Sequence, residues 1–278
     1  MDQKSIETRL ADLPLGGIRY FETISSTNNE AAAWTAQDAA DFSLVIADEQ
    51  TEGRGRGGRK WFTYPESALA FSLILRPKET EQQLNAQILQ RFTGLGALGI
   101  NQAMQKQYGL TAEIKWPNDV LVNRRKACGI LAEADWIGDQ LSAMILGIGI
   151  NVAPSSLPPA EVLHYPATCI ETELGKVIDR IELLRAVLVE IIHWRTRLIT
   201  DDFLQTWEAK LAFRGELVQV FSTGLVAGLL QEGRLLGLSP NGALKLRITS
   251  GEVIAIQNGE IPPNSGQIQM RPVDSSLK

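Results

Sequence analysis

The first candidate site is a stretch rich in glycine and arginine. The run TEGRGRGGRKW, residues 51–61, contains four glycines, three arginines and one lysine. Glycines let neighbouring backbone N–H groups point the same way and form a nest for an anion. Arginine guanidinium groups match phosphate and carboxylate oxygens with paired hydrogen bonds. Taken alone, the run fits an anion site and an exposed, solvated turn equally well.

A second candidate is KWPNDVLV, residues 115–122. Pro117 interrupts an extended run, so Asn118 and Asp119 fall at a strand edge where their side chains can face a cleft. Amide and carboxylate oxygens at such a place suit Mg²⁺ or a ribose hydroxyl. The alternative is an ordinary Pro-Asn-Asp turn.

Two further candidates lie on apolar runs. In RRKACGILAEA, residues 124–134, Lys126 stands at the mouth of a strand, either as an edge residue reaching solvent or as a cation for a reacting carboxylate. In LGIGINV, residues 146–152, Gly147 and Gly149 free one face of a strand for a flat ligand or for close backbone packing. Asn151 ends that strand with a polar group. Cys128 reads as a small core residue.

Regular elements are expected to hold these groups. We predict strands at residues 18–24, 43–50 and 67–75, so the glycine–arginine run connects two strands. Ser26 or Thr27 is predicted to cap a short helix around residues 31–34. Apolar spacing predicts amphipathic helices over residues 84–98, 181–198 and 201–211. Short strands are predicted around KWPND, and residues 127–152 read as a hairpin of two apolar strands.

The sequence pattern changes near Arg214. From there, short alternating runs are separated by Gly or Asn-Gly turns, which is typical of a small β-barrel. The prediction is an α+β domain over residues 1–213, followed by a β domain over residues 214–278.

Composition narrows the class of protein. The 278 residues are 44% hydrophobic and carry a net charge of −5, which argues against a general nucleic-acid binder and for a local anion site. Two cysteines make no disulfide framework, and two histidines make no zinc motif. Neither a signal peptide nor a membrane span is recognisable, so a cytoplasmic protein without a membrane partner is expected.

In this order, the motifs resemble those of the biotin–protein ligases, also called biotin–[acetyl-CoA-carboxylase] ligases. SSTN, residues 25–28, is similar to the first biotin motif of the family. DEQTEGRGRGGRKW, residues 48–61, is similar to its biotin and adenylate loop. KWPNDVLV, KACGILAE and LGIGINV resemble its three remaining motifs. The resemblance covers most of the chain.

The resemblance implies a role for each matching residue. Lys126, Arg54 and Arg56 would be catalytic, bringing the biotin carboxylate to the α-phosphate of ATP. Asp119 would also be the Mg²⁺ ligand. The biotin-binding residues would include these three catalytic residues, together with Ser26, Thr27, Asn28, Gln50, Gly53, Gly55, Gly129, Gly147 and Gly149. The ATP and adenylate would contact Arg56, Arg59, Trp61, Asn118, Asp119 and Asn151.

The resemblance also implies a fold and partners. It predicts a catalytic domain like that of class II aminoacyl-tRNA synthetases, with a mixed β-sheet and flanking helices, and an SH3-like barrel at the C-terminal end. Biotin and ATP would be substrates, and a biotin carboxyl carrier domain would be the acceptor. A homodimer is one option for assembly.

One feature departs from many bacterial members of the family. They begin with a DNA-binding helix-turn-helix, which needs two helices and a turn. The first predicted strand begins at Ile18, so we expect no room for that unit, no DNA partner and no repressor function. The alternatives are a lipoate–protein ligase-like acyltransferase, which shares the fold, and a non-catalytic RNA-binding module.

Overall fold

A seven-stranded sheet forms the larger part of the computed structural model, which describes residues 1–82, 88–223 and 228–263. The strand order is β1-β2-β3-β7-β6-β5-β4. β1 and β2 run parallel and the other neighbours antiparallel, so the predicted mixed sheet is confirmed. The strands are β1 (Gly17–Ile24), β2 (Ser43–Gln50), β3 (Ala68–Leu75), β4 (Glu113–Lys115), β5 (Asp119–Val122), β6 (Arg125–Ile137) and β7 (Gln140–Asn151).

Helices cover both faces of this sheet. Successive side chains of a strand point to opposite faces, and in β2 Val45 packs with Ala31 of helix α2 (Thr27–Thr35). Leu44 and Ile46 belong instead to the core formed with α4 (Leu89–Tyr108) and α6 (Arg180–Arg195). Because β3 is buried along its whole length, its sequence is an apolar run with little polar alternation.

Helix α4 contains glycines because its neighbours come unusually close. A Cβ at Gly94 would lie 2.6 Å from the Trp207 ring, and one at Gly99 would lie 2.5 Å from Ile191. Glycine weakens a helix interior by about 1 kcal/mol relative to alanine, and burial of the surrounding apolar side chains offsets that cost. The predicted helix over residues 84–98 therefore exists, but it begins at Leu89 and runs to Tyr108. Leu84 lies outside the described residues.

The remaining helices are α1 (Gln3–Leu10), α3 (Glu79–Gln82), α5 (Ile170–Leu174) and α7 (Asp201–Ala209). The predictions at residues 181–198 and 201–211 are confirmed by α6 and α7. Helix α1 was not predicted, since its apolar positions are few. Its N-cap, Asp2, accepts the Ser5 N–H at 2.9 Å, and it buries Ile6 and Leu10.

The C-terminal residues form a second, four-stranded antiparallel sheet in the order β11-β10-β9-β8. Its strands are β8 (Leu217–Phe221), β9 (Leu229–Leu238), β10 (Leu244–Arg247) and β11 (Val253–Ile256). The predicted change to short strands after Arg214 is therefore confirmed over the described residues. The predicted strand at residues 267–272 lies outside them.

The two sheets are connected by buried polar contacts. The Trp116 indole N–H donates to the Gly242 carbonyl at 3.0 Å, and the Arg91 Nε–H donates to the Pro240 carbonyl at 2.9 Å. Both donors come from the larger unit and both acceptors from the smaller one. The C-terminal unit is thus held directly beside the KWPND turn.

Candidate active site

A cavity of about 320 Å³ lies where the larger sheet, the glycine–arginine run and the C-terminal unit meet. Segment 158–167 and residues 260–263 complete its wall. The structure thus brings together residues as far apart in the chain as Ser26 and Pro263. Every predicted site residue except Gly53 lines the cavity: Ser26, Thr27, Asn28, Gln50, Arg54, Gly55, Arg56, Arg59, Trp61, Asn118, Asp119, Lys126, Gly129, Gly147, Gly149 and Asn151.

The glycine–arginine run forms a tight turn between β2 and β3, which we call the Gly/Arg hairpin (residues 53–61). The Trp61 N–H donates to the Gly53 carbonyl at 2.9 Å. Gly57 and Gly58 adopt φ angles of 65° and 77°, which L side chains rarely take. A Cβ at Gly53 would lie 2.3 Å from the Trp61 carbonyl oxygen. Gly53 therefore closes the hairpin, and the glycine-rich composition follows from its geometry.

An ion triad occupies the inner end of the cavity. Asp119 accepts Lys115 Nζ at 2.8 Å on one carboxylate oxygen and lies 2.7 Å from Lys126 Nζ on the other. Burial opposes ionisation of this carboxyl group, but the two ammonium groups outweigh burial and hold the pKa of Asp119 well below its usual value. The triad thus presents a net positive charge to a ligand, with Lys126 on the side nearer solvent.

This arrangement does not fit the expected role of Asp119 as a Mg²⁺ ligand. Both carboxylate oxygens already pair with ammonium groups, so a divalent cation bound there would lie against two positive charges. The described residues also contain no cluster of three or more His, Cys, Asp or Glu side chains placed to hold a metal ion. The carboxylate instead serves as the shared counter-ion of two lysines.

The start of helix α2 is fixed by a polar network. Gln50 Oε1 accepts the Thr27 N–H at 2.8 Å and the Thr27 hydroxyl at 3.1 Å. The Ser72 hydroxyl lies 2.8 Å from Thr27 Oγ1 and 2.6 Å from Asn28 Oδ1. Ser26 occupies the predicted N-cap position, but its hydroxyl makes no capping bond. Within the described residues the Ser26 side chain has no hydrogen-bond partner, so it is available to a ligand in the cavity.

The strand glycines make room for side chains of the protein as well as for a ligand. A Cβ at Gly147 would lie 2.2 Å from Asn28 Oδ1, and one at Gly149 would lie 2.2 Å from the Trp61 ring. Gly129 is the cross-strand partner of Gly149 and contacts the same ring. Gly147 and Gly149 also line the cavity, so their place beside a flat ligand stays a prediction, alongside close packing against the protein's own side chains. They seat the Asn28 amide and the Trp61 indole in the cavity wall.

The three hairpin arginines have different partners. Arg54 Nη2 pairs with Glu133 at 2.9 Å, and Arg59 Nη2 pairs with Glu260 of the C-terminal unit at 2.6 Å. Within the described part of the chain, the Arg56 guanidinium makes only long hydrogen bonds, 3.4 Å to Asn118 Oδ1 and 3.4 Å to the Gly259 carbonyl. Burial lowers the pKa of Arg56, and the neighbouring carboxylates partly compensate. Arg56 is thus the least strongly held of the three.

Two amide side chains brace the backbone around the cavity. Asn118 Nδ2 donates to the Ile130 carbonyl at 2.8 Å, and Asn151 Nδ2 donates to the Thr168 carbonyl at 3.1 Å. Each amide oxygen is free of these bonds. These asparagines fix the KWPND turn and the start of α5 relative to β6.

Several lining or supporting residues were not predicted as site residues. Lys115 belongs to the KWPND motif, but the sequence did not show that its side chain is buried against Asp119. Tyr165 contacts Lys115, whose Nζ lies 4.7 Å above its ring, and burial raises the pKa of Tyr165 to about 12. Glu133 ends the KACGILAE motif but was not singled out, and Ser72 and Glu260 lie outside the motifs, so only the strand register and the packing of the second unit could reveal their contacts.

Among the described residues, no helix has the length and apolar character that crossing a bilayer requires.

Comparison with known proteins gives consistent relatives. The family model of the biotin/lipoate A/B protein ligases matches residues 20–151. The chain is 36% identical over 237 residues to the bifunctional ligase/repressor BirA of Bacillus subtilis, covering 84% of this chain and 70% of that protein. It is 33% identical to the biotin–[acetyl-CoA-carboxylase] ligase of Paracoccus denitrificans, covering 82% of this chain and 93% of that protein. The match to BirA of Bacillus spizizenii spans about half of that protein, 51%.

A solved structure also matches this fold. The biotin protein ligase of Aquifex aeolicus, in complex with biotin and ATP, superposes with a TM-score of 0.72 at 30% identity. The match covers 88% of this chain and 97% of that one. With this mixed sheet and lysine-rich cavity, the chain belongs to the biotin/lipoate A/B protein ligase family. Within that family it is similar to the biotin protein ligases.

Proposed function

We propose that this chain activates biotin with ATP and transfers it to a lysine of a carrier protein. In the first step a biotin carboxylate oxygen attacks the α-phosphorus of ATP, and pyrophosphate leaves. In the second step a lysine amine of the acceptor attacks the carbonyl carbon of biotinyl-5′-AMP. The amide bond forms, the amine loses a proton and AMP leaves.

One observation carries the proposal: cations outnumber carboxylates among the described residues around the cavity. Of these lining side chains, six are lysine or arginine, whereas two, Asp119 and Glu260, are carboxylates. The first step brings a carboxylate against a polyphosphate, so the site must cancel repulsion and stabilise charge on the phosphoryl oxygens. A protein whose net charge is −5 has concentrated positive charge at the place where that reaction needs it.

The proposed roles follow from the positions of the side chains. Lys126 bridges the biotin carboxylate and the α-phosphate, with Arg54 and Arg56 beside it. Ser26, whose hydroxyl is unpaired within the described residues, offers a hydrogen bond to the ureido ring of biotin. Thr27 and Gln50 shape the same end of the cavity through their mutual hydrogen bonds.

The ATP side is assigned to the other wall. Trp61 is proposed to stack on adenine. Arg59, Asn118 and Asn151 would position ribose and phosphates, with the amide oxygens of the asparagines as acceptors, although that of Asn118 also accepts Arg56 at 3.4 Å. Asp119 orients Lys126, and no step of the proposal passes through Mg²⁺.

The proposal extends to the domain architecture, the acceptor protein and the assembly. We propose a class II synthetase-like catalytic domain over residues 1–213 and an SH3-like barrel over residues 214–278. The acceptor is proposed to be the biotin carboxyl carrier domain of a carboxylase, which fits the names of the relatives. A cytoplasmic location, a ligase without DNA binding and a homodimer remain predictions.

The test is ATP–pyrophosphate exchange with purified protein. Exchange that requires biotin, followed by a mass increase of one biotinyl group on a carrier domain, is expected. Exchange that requires lipoate instead would favour a lipoate ligase, a reading that the relatives do not favour. RNA binding that weakens with salt, without any pyrophosphate exchange, would favour a non-catalytic module.

A further inference from the structure

Glu133 lies on β6 just behind the cavity wall and binds two residues that line it. Its Oε2 accepts Arg54 Nη2 at 2.9 Å and Asn28 Nδ2 at 2.6 Å. Glu133 does not line the cavity itself, whereas Arg54 and Asn28 both do. The carboxylate therefore acts on the site through these two neighbours.

The way Arg54 is held limits what it can offer a ligand. Nη2 donates to Glu133 and also to Asn29 Oδ1 at 2.9 Å, so both of its hydrogens are used. A guanidinium group binds an oxyanion with two parallel bonds either through Nε and Nη2 or through Nη1 and Nη2. Because Nη2 belongs to both pairs, Arg54 in this position can give an anion only single bonds from Nε or Nη1. Neither of those nitrogens has a hydrogen-bond partner within the described residues.

Asn28 shows what else depends on Glu133. Its amide nitrogen donates to Glu133, while its oxygen lies 2.6 Å from the Ser72 hydroxyl. An amide at position 133 would still supply an oxygen acceptor to Asn28 and Arg54. Replacement of Glu133 by glutamine thus removes the negative charge and keeps the hydrogen-bonding shape.

We propose that Glu133 is the resting counter-ion of Arg54, which the carboxylate of an incoming substrate must displace before Arg54 can bind it with two hydrogen bonds. The inference rests on the proposed function, since biotin is the anion concerned. Glu133 is then a positioning residue that lowers the affinity for the anion. It keeps the arginine oriented at the cavity wall when no substrate is bound.

The solvent exposure of the Arg54–Glu133 ion pair limits how much its loss can change the affinity for biotin. The side chains of Arg54 and Glu133 are 45% and 33% exposed. Ion pairs with this exposure contribute about 0.2–1 kcal/mol, which corresponds to roughly 1.5- to 5-fold in an equilibrium constant. Glu133→Gln is therefore expected to tighten biotin binding about threefold.

The experiment compares two ligands by calorimetric titration of the full chain. The ligands are biotin and its neutral alcohol analogue, in which a CH₂OH group replaces the carboxylate. In Glu133→Gln, the Kd for biotin should fall about threefold, while the Kd for the alcohol should stay the same. The difference between the two changes in Kd reports the interaction with the carboxylate, because a general change in the shape of the pocket would alter the Kd of both ligands.

Asp135→Asn is the matched control. Asp135 lies two positions further along β6, and within the described residues the ion pair of Arg54 is with Glu133, not with Asp135. Its replacement removes the same charge from the same strand and should change the biotin Kd less than Glu133→Gln does. An unchanged or weakened biotin affinity in Glu133→Gln, or an equal shift for the alcohol, overturns the counter-ion role. Wild-type protein that binds no biotin at all would overturn the proposed function instead.

Discussion

Lys126 combines two properties at the residue scale: it reaches the cavity, and it is held by Asp119 at 2.7 Å. A preorganised cation of this kind stabilises charge that develops on transferring phosphoryl oxygens. Lys126→Ala should slow biotin-dependent pyrophosphate exchange by about 10²–10³-fold. Arg125→Ala is a suitable control, because Arg125 pairs with Glu173 and does not line the cavity. Pyrophosphate exchange at the wild-type rate in Lys126→Ala would show that Lys126 does not stabilise charge on the phosphoryl oxygens.

The lowered pKa of Asp119 leads to a separate prediction about how stability depends on pH. Its folded-state pKa is lowered, so its ionised form stabilises the fold above the ordinary value of 3.8, and that stabilisation is lost as the pH falls below it. Asp119→Asn should lower the free energy of unfolding near pH 7 by about 3 kcal/mol, since two lysines lose their shared counter-ion. The deficit should shrink as the pH falls below 3.8. Urea melts of both proteins at several pH values measure it, and a deficit independent of pH would contradict the ion triad.

Single residues show where sequence reasoning reached its limit. The resemblance of their motifs to those of one family was enough to place Lys126, Asp119 and the hairpin arginines at one site. The sequence did not show the partner of each arginine, because Glu133 and Glu260 lie 79 and 201 positions from Arg54 and Arg59 and meet them only in the folded chain. The Mg²⁺ role expected of Asp119 does not fit its pairing with Lys115 and Lys126, and that pairing depends on burial, which the spacing of the residues does not show.

At the element scale, the cross-strand pair of Gly129 and Gly149 supports the Trp61 ring. Gly149→Ala would place a methyl group 2.2 Å from ring atoms of Trp61, and the backbone of β7 cannot retreat from the centre of the sheet. Overpacking of this kind costs about 1–3 kcal/mol, and displacement of the ring should reduce adenylation strongly.

A double variant checks the cause of that loss. Trp61→Phe removes the ring atoms nearest the new methyl group, so its combination with Gly149→Ala should be less than additive in the free energy of unfolding. Thermal unfolding of the single and double variants gives the coupling. Strict additivity would mean that the methyl group does not meet the indole.

The Gly/Arg hairpin is the element expected to respond to ligands. Its tip carries Arg56 and Arg59, both trypsin sites, and the bound adenylate would contact the same arginines. Biotin with ATP should therefore slow trypsin cleavage within residues 53–61 severalfold, as followed by mass spectrometry. Cleavage at unrelated exposed lysines provides the internal control, and an unchanged ratio between the two would argue against ordering of the hairpin by ligand.

The regular elements were largely predictable because their apolar patterns are strong. The strands at residues 17–24, 43–50 and 68–75, and the hairpin formed by β6 and β7, agree with the sequence pattern. Helices α1 and α5 escaped detection because they are short and present few apolar residues. The predicted start of α4 at residue 84 lies outside the described residues, and its end was placed ten residues before Tyr108 because polar residues in the last turns hide the apolar spacing.

At the scale of the whole molecule, an acidic protein surrounds a cationic cavity. The net charge is −5, yet lysines and arginines outnumber carboxylates in the cavity wall. Field lines focused in such a cleft attract a polyanion, and added salt screens that attraction. The association rate of ATP should thus fall severalfold between low and physiological salt in stopped-flow measurements, while the neutral alcohol analogue of biotin should associate at a nearly constant rate. Equal salt sensitivity of both ligands would contradict a local field.

The ion pair between Arg59 and Glu260 has a consequence for how such enzymes can be recombined. The C-terminal unit supplies part of the cavity wall, so exchanging it between relatives also replaces one side of the active site. In a chimera with the Gly/Arg hairpin of one parent and the small sheet of another, the residues at positions 59 and 260 come from different proteins. They have not been selected to form an ion pair with each other. The boundary between the two units is therefore a poor crossover point unless positions 59 and 260 are transferred as a pair.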